Sequence, residues 1–107
     1  MQLMTKELEK AFAKPQTPQY SADSPMCIAK FFNPCGSATW WATEYNPGTR
    51  IFFGFVTGID YDEWGYFSLS ELEELKVGFG LGIERDLYFD PKPIKEAVNS
   101  YYNKEIM

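Results

Sequence analysis

The chain has 107 residues, of which 45% are hydrophobic and 18% are aromatic, and its formal net charge is −5. This length and apolar content predict one folded domain over residues 1–107 with a modest core, and they exclude intrinsic disorder. The acidic balance argues against direct nucleic-acid binding, and the lack of any His excludes the usual Ser-His and Cys-His nucleophile pairs and the common zinc sites.

The first predicted element is a short N-terminal helix. Thr5 has the side chain of an N-cap, and Leu8 and Phe12 follow at the spacing that gives a helix one apolar stripe. Pro15 ends this helix, and the three Pro residues within 14–25 predict an extended connector. The N-terminal residues lack the apolar run of a secretory signal, and no stretch is apolar enough to span a bilayer. We therefore expect a cytoplasmic protein with no membrane partner.

The middle of the chain predicts an antiparallel meander rich in aromatic and β-branched side chains. Three strands are expected at residues 26–32, 38–45 and 50–57, with a fourth short strand at 65–68. Trp40 and Trp41 are adjacent in the second strand, so their rings should point to opposite faces of the sheet. Because the third strand is apolar on both faces, we expect helices to cover one face and aromatic side chains to cover part of the other.

A short acidic helix should follow the fourth strand. Ser68 and Glu71 have the spacing of a capping box, in which the hydroxyl accepts an amide hydrogen bond at the first turn. Leu69, Leu72 and Leu75 would then face the core. The Glu residues between them would face solvent, next to the acidic residues that precede the fourth strand.

The C-terminal part predicts one more strand and one more helix. Residues 87–89 are apolar enough for an edge strand, and the Asp-Pro pair at 90–91 is typical of a helix start. Together the elements predict an α+β fold. In it, an antiparallel sheet of three to five strands carries the N-terminal helix, the short acidic helix and the C-terminal helix.

The charge of the chain is concentrated in residues 60–90. This segment holds nine acidic side chains and two basic ones, whereas the remainder has a small positive balance. A field of one sign attracts a surface of the other sign, so we expect this segment to bind a basic surface of a partner protein. The candidate partner-binding residues are Asp60, Asp62, Glu63, Glu71, Glu73, Glu74, Glu84 and Asp86. The alternative is a solvated face that only keeps the protein soluble.

An EF-hand-like calcium loop is a weaker interpretation of some of these carboxylates. Asp60, Asp62, Gly65 and Glu71 have the spacing of positions one, three, six and twelve of such a loop. Position five normally supplies an oxygen, but Trp64 stands there, and a strand precedes the loop where a helix is required. We therefore expect no metal site.

Catalysis has little support in the sequence. A carboxylate pair such as Glu84 and Asp86 is what a glycoside hydrolase needs, but acidic pairs on a surface are usually solvated. We expect a protein that is not an enzyme, with no catalytic residues and no cofactor. Cys27 and Cys35 lack a CxxC spacing, so we expect two free thiols in the core and no disulfide.

Five sequence strings carry a resemblance to a known family. They are residues 29–32 (AKFF), 36–41 (GSATWW), 52–56 (FFGFV), 65–72 (GYFSLSEL) and 82–89 (GIERDLYF). Together they resemble a small bacterial family that is catalogued as a domain of unknown function and is often carried on mobile elements. Within that family the chain is similar to a type II-A anti-CRISPR protein. The resemblance supplies no binding residues.

The resemblance implies a function. It implies that the chain binds a type II-A RNA-guided CRISPR nuclease directly and inhibits it in the cytoplasm of a bacterial host. Such a nuclease holds RNA and DNA in channels lined by Lys and Arg, which an acidic protein can occupy by imitating phosphate charge. We expect a monomer. The alternative is a non-catalytic accessory or regulatory module of a mobile element that binds a host protein.

Overall fold

The structure, a computed structural model, describes residues 2–15 and 24–107. Within these residues the chain forms three helices, a five-stranded antiparallel sheet and a two-stranded ribbon. The helices are α1 (Lys6–Ala13), α2 (Leu69–Glu74) and α3 (Ile94–Tyr102). The strands are β1 (Met26–Cys27), β2 (Ala29–Phe32), β3 (Thr39–Asn46), β4 (Ile51–Thr57), β5 (Glu63–Ser68), β6 (Glu84–Arg85) and β7 (Lys92–Pro93). The predicted α+β class, with its helices at both ends and its short acidic helix, is confirmed.

The main sheet has the strand order β5-β4-β3-β2-β6. Strands β2 to β5 follow one another as a meander, and β6 returns to the outer side of β2. The separate ribbon pairs β1 with β7. The sheet therefore has two edges of different length, with six residues in β5 and two in β6.

Helices α1 and α2 cover one face of the sheet, here called the α1 face. Phe31, Trp40 and Phe52 are buried on it, and the rings of Phe31 and Phe52 lie 5.1 Å apart. Leu69 and Leu72 of α2 complete this cluster. Burying a Leu or Phe side chain contributes about 1.5–3 kcal/mol, so these contacts fix α2 on the sheet.

Helix α3 packs on the opposite face, here called the α3 face. Trp41 and Phe55 are buried there against Ile94. The Trp41 indole N–H donates to Thr57 Oγ1 at 3.0 Å, and that hydroxyl lies 2.6 Å from the Tyr102 hydroxyl of α3. The two adjacent Trp residues therefore belong to different cores, as the alternation of a strand predicts.

The C-terminal part departs from the prediction. Helix α3 begins at Ile94 and not at the Asp-Pro pair, because Lys92–Pro93 is paired with β1. The predicted edge strand at 87–89 is wrong, since Tyr88 N–H donates to Asp86 Oδ1 at 2.9 Å and the chain turns there. The edge is formed by β6, which pairs with the end of β2.

Three smaller predictions also need correction. The first predicted strand is interrupted at Ile28, between β1 and β2. Leu75 was expected in the core but is the C-cap of α2 and is 40% exposed. Cys27 is buried as expected, whereas Cys35 is exposed, and both thiols are free. Burial raises the pKa of the Cys27 thiol to about 12.

Both predicted helix caps are confirmed. Leu8 N–H donates to Thr5 Oγ1 at 3.1 Å, and Glu71 N–H donates to Ser68 Oγ at 3.2 Å. The predicted Pro-rich connector falls largely on residues 16–23, which lie outside the described residues. Within the described ranges, no helix is long and apolar enough to cross a bilayer.

Candidate protein-binding surface

The eight candidate acidic residues fall into three groups, of which the first spans the loop between β4 and β5 and the first residue of β5. This loop group consists of Asp60, Asp62 and Glu63, all exposed. Gly58 N–H donates to Asp62 Oδ1 at 3.2 Å. Gly58 has a φ of +81°, and a Cβ on it would lie 2.0 Å from the Ser37 carbonyl oxygen, so only Gly allows this turn.

The second group lies on α2 and is called the helix group. It consists of Glu71, Glu73 and Glu74, which are exposed. The Arg50 guanidinium donates to Glu73 Oε1 at 2.6 Å through Nη2 and to Ser70 Oγ at 2.9 Å through Nη1. The hydrogen bond with Glu73 raises the pKa of the Arg50 guanidinium. One of the three carboxylates of this group is therefore already paired within the protein.

The third group, called the edge group, consists of Glu84 in β6 and Asp86 just after it. Lys30 Nζ lies 3.6 Å from Asp86 Oδ2 and 3.7 Å from the centre of the Tyr101 ring. Burial lowers the pKa of Lys30, and the neighbouring Asp86 carboxylate partly counteracts this shift. Asp86 thus ties β6 to β2 and α3, which leaves less of its charge for a partner.

The loop group lies apart from the other two groups. Glu63 and Ser68 are the two ends of β5, so about 17 Å of strand separates the loop group from the start of α2. The edge group lies at the other side of the sheet from β5, about 19 Å away. The helix and edge groups meet at a groove of about 570 Å³ lined by Glu73 and Glu84. The prediction that α2 displays its charge next to Asp60 and Asp62 is therefore wrong.

Residues 60–90 have a second property that their charge pattern did not reveal. In the described part of the chain, ten large hydrophobic side chains are exposed, and eight of them lie in this segment. They are Tyr61, Trp64, Tyr66, Leu75, Phe79, Leu81, Leu87 and Tyr88. Single exposed apolar side chains are ordinary, whereas a contiguous exposed patch of them is typical of an interaction site. Aromatic side chains in particular are enriched at interfaces.

Three rings form an aromatic patch on the α3 face, defined by Phe53, Trp64 and Tyr66. The rings of Phe53 and Trp64 stack at 5.6 Å with an interplanar angle of 9°, and those of Phe53 and Tyr66 are 4.9 Å apart. Tyr66 is 78% exposed and Trp64 38%. The patch is open because α3 packs mainly on β1, β3 and β7 and, among the described residues, does not extend over Phe53 and β5. The exposed Glu44 lies opposite Phe53 on β3.

The exposed side chains of this surface are mainly carboxylates and aromatic rings. Gly65 lies within β5 and not in a calcium-binding loop, and the described residues contain no group of three or more His, Cys, Asp or Glu that could hold a metal ion. Carboxylates and aromatic faces on a rigid sheet both favour cations. A Lys or Arg placed over an exposed ring contributes about 0.5–1 kcal/mol. The assignment of the eight carboxylates to a partner contact stays a prediction.

The fold is that of a small α+β protein whose antiparallel sheet carries acidic groups at separate places and an aromatic patch on its α3 face. The chain belongs to the family described as protein of unknown function DUF2958, whose family model matches residues 3–103. The resemblance noted in the sequence strings is confirmed to that extent. No curated protein and no solved structure is significantly similar to the chain.

Proposed function

We propose that the chain is a non-catalytic protein-binding protein and that residues 60–90 hold its contact surface. The observation that carries this proposal is the coincidence, in one segment, of nine acidic and eight exposed large hydrophobic side chains. A face that only promotes solubility needs charge and no exposed rings, because rings in water cost free energy. Contact with a partner recovers that cost.

The proposed partner is a type II-A RNA-guided nuclease of the bacterial host, which the chain inhibits by binding. Support comes from the similarity of the sequence strings to a type II-A anti-CRISPR protein and from the sign of the charge. The nuclease holds its guide–target duplex in a positively charged channel. Carboxylates imitate the phosphates of that duplex, and the exposed rings add apolar contacts that a phosphate backbone lacks.

The test is target-DNA cleavage by a purified type II-A nuclease with its guide RNA, titrated with the chain. The native chain is expected to inhibit cleavage at concentrations close to that of the nuclease. A variant of the loop group, Asp60→Asn, Asp62→Asn and Glu63→Gln, is expected to inhibit about tenfold more weakly, since close charge pairs across an interface contribute strongly to binding.

A matched control separates a local contact from net charge. The substitutions Glu9→Gln, Glu96→Gln and Glu105→Gln remove the same number of charges at exposed positions outside the segment. This control is expected to inhibit like the native chain. Raising the salt from about 0.1 M to about 1 M shortens the Debye length from about 10 Å to about 3 Å and should weaken inhibition by the native chain.

One result would reject this partner, and another would reject the assigned contact. Failure to inhibit nucleases from several bacteria would remove the nuclease from the proposal. Reproducible capture of one protein from cells that lack CRISPR would then favour the alternative, an accessory or regulatory module of a mobile element. Equal loss of inhibition in the control and the loop-group variant would show that net charge, and not this loop, determines binding.

A further inference from the structure

Strand β5 is an edge strand that the described residues leave open. It pairs with β4 on one side, and no strand from residues 2–15 or 24–107 lies on its other side. Proteins usually protect such an edge with Lys, Pro, a bulge or a very short strand. β5 has none of these. Its six residues, EWGYFS, include no Lys or Pro, and they pair with β4 in one continuous register without a bulge.

The register determines which backbone groups of β5 face outward. Leu69 N–H, immediately after the strand, donates to the Arg50 carbonyl at 2.9 Å. Bonded and non-bonded pairs alternate along an antiparallel ladder, so the backbone groups of Gly65 face β4. The N–H and C=O groups of Trp64 and Tyr66 therefore point away from the sheet, where an added strand can bond to them.

Apolar surface lies on both sides of this edge. The aromatic patch stands beside it on the α3 face. On the α1 face, Gly65 faces a groove of about 270 Å³, and a Cβ on Gly65 would have no atom within 4 Å. Trp40 and Phe67 line this groove, together with Asp60 and Glu63. A strand added at the edge would thus find room for its side chains on both faces.

We infer that the β5 edge binds an extended, Lys- or Arg-bearing segment of a partner protein as a sixth strand of the sheet. This inference rests on the proposed protein-binding function and names the part of the partner that is held. Backbone hydrogen bonds to Trp64 and Tyr66 supply affinity, and alternate side chains supply specificity. A Lys or Arg of the partner segment that points to the α1 face meets Asp60 and Glu63. One that points to the α3 face meets the aromatic patch and Glu44.

The charge distribution selects this occupant over a second copy of the chain. Antiparallel pairing of two β5 strands about a two-fold axis would bring the loop group of each copy toward the helix group of the other. Each copy also carries a net charge of −5. Like charges brought together at an interface are destabilising, whereas a basic segment meets the opposite sign at the same place.

The probe is an amidated peptide of about ten residues in which Lys alternates with Val, with binding followed by calorimetry. One control peptide carries Glu in place of Lys. A second keeps the Lys and Val side chains but is N-methylated at every central residue, so that neither of its edges donates hydrogen bonds. The Lys peptide is expected to bind, the methylated peptide about tenfold more weakly and the Glu peptide not at all. Equal binding of the Lys peptide and its methylated form would overturn the inference.

Two substitutions of one residue test the same claim from the protein side. Tyr66→Pro removes the outward N–H, which is tolerated on an edge strand, whereas Tyr66→Ala removes the ring and keeps the N–H. Tyr66→Pro is expected to bind the Lys peptide about tenfold more weakly than Tyr66→Ala does. Thermal unfolding of both variants checks that each is folded. Equal affinities in two folded variants would contradict strand addition.

The outcomes separate this inference from the proposed function. Inhibition of the nuclease without any binding of the Lys peptide would overturn the edge inference alone. Binding of the peptide to the edge without inhibition of any nuclease would support the inference and reject the nuclease as partner. A concentration-dependent dimer that excludes the peptide would overturn the inference and assign the edge to a second copy.

Discussion

The two edges of the sheet are built differently. Edge strand β6 has two residues and is tied down by side chains, with Lys30 Nζ 3.6 Å from Asp86 Oδ2 and 3.7 Å from the centre of the Tyr101 ring. Edge strand β5 has six residues and no such ties along its outer side among the described residues. A short edge offers few backbone groups to another chain, whereas a long open edge is a template for pairing. Within the described residues, the fold therefore protects one edge and leaves the other unpaired.

The largest expected effect comes from one of two glycines that lie beside the open edge. Gly54 and Gly65 face each other across β4 and β5. A Cβ on Gly54 would lie 2.0 Å from the Trp41 carbonyl oxygen, whereas one on Gly65 would meet open space. Gly54→Ala should therefore lower the free energy of unfolding by about 3 kcal/mol or more, and Gly65→Ala should change it by less than about 1 kcal/mol. Urea denaturation measures both, and equal losses would contradict this packing.

A smaller effect is expected at the protected edge. The Tyr101 ring lies 5.4 Å from that of Trp41 and covers the Lys30 ammonium. Tyr101→Ala should destabilise the fold by about 1–2 kcal/mol, while Tyr101→Phe keeps the ring and should cost less than about 0.5 kcal/mol. Faster amide exchange in β6 of the Ala variant would show that the ring holds this edge. If Phe costs as much as Ala, the ring contacts do not provide the stability.

The smallest effect concerns Cys27, which lies in β1 of the two-stranded ribbon. The pKa of Cys27 is about 12 in the folded protein against an ordinary 9.0. Above pH 9.0 the unfolded chain loses this proton while the folded chain keeps it, so stability falls as the pH rises from 9.0 toward 12. Cys27→Ala lacks this loss. The native chain should have the larger free energy of unfolding at pH about 7, and its advantage over Cys27→Ala should become smaller, by less than about 1 kcal/mol, when the pH is raised to about 9.5. A difference in free energy of unfolding that stays constant over this pH range would show that burial does not raise the pKa of the Cys27 thiol.

Features with a local cause could be predicted from the sequence. Thr5 and Ser68 cap their helices by accepting a hydrogen bond from the backbone N–H three residues later. Both partners of each bond therefore belong to the same short sequence pattern. The start of α3 could not be predicted in this way, because Lys92–Pro93 is held as a strand by Met26–Cys27 from the other end of the chain. A local pattern contains no information on such a pairing.

The candidate surface shows the same division. The charge of this surface was evident in the sequence. Its spatial division was not, because the loop group and the helix group lie at opposite ends of β5 and are separated by the length of that strand. The exposure of Trp64 and Tyr66 was signalled only by their alternation with Gly65. Whether a helix covers them depends on where α3 crosses the sheet, and that is set by β1 and β3.

The most direct test of the open edge is amide hydrogen exchange along β5. We predict that in the free protein Trp64 and Tyr66 exchange rapidly, while Gly65 and Phe67, which bond to β4, exchange slowly. Saturation with the Lys peptide should slow Trp64 and Tyr66 by about tenfold or more and leave the other two unchanged. Equal protection of all four amides in the free protein, or no change at Trp64 and Tyr66 when the peptide is bound, would contradict the open, partner-binding edge.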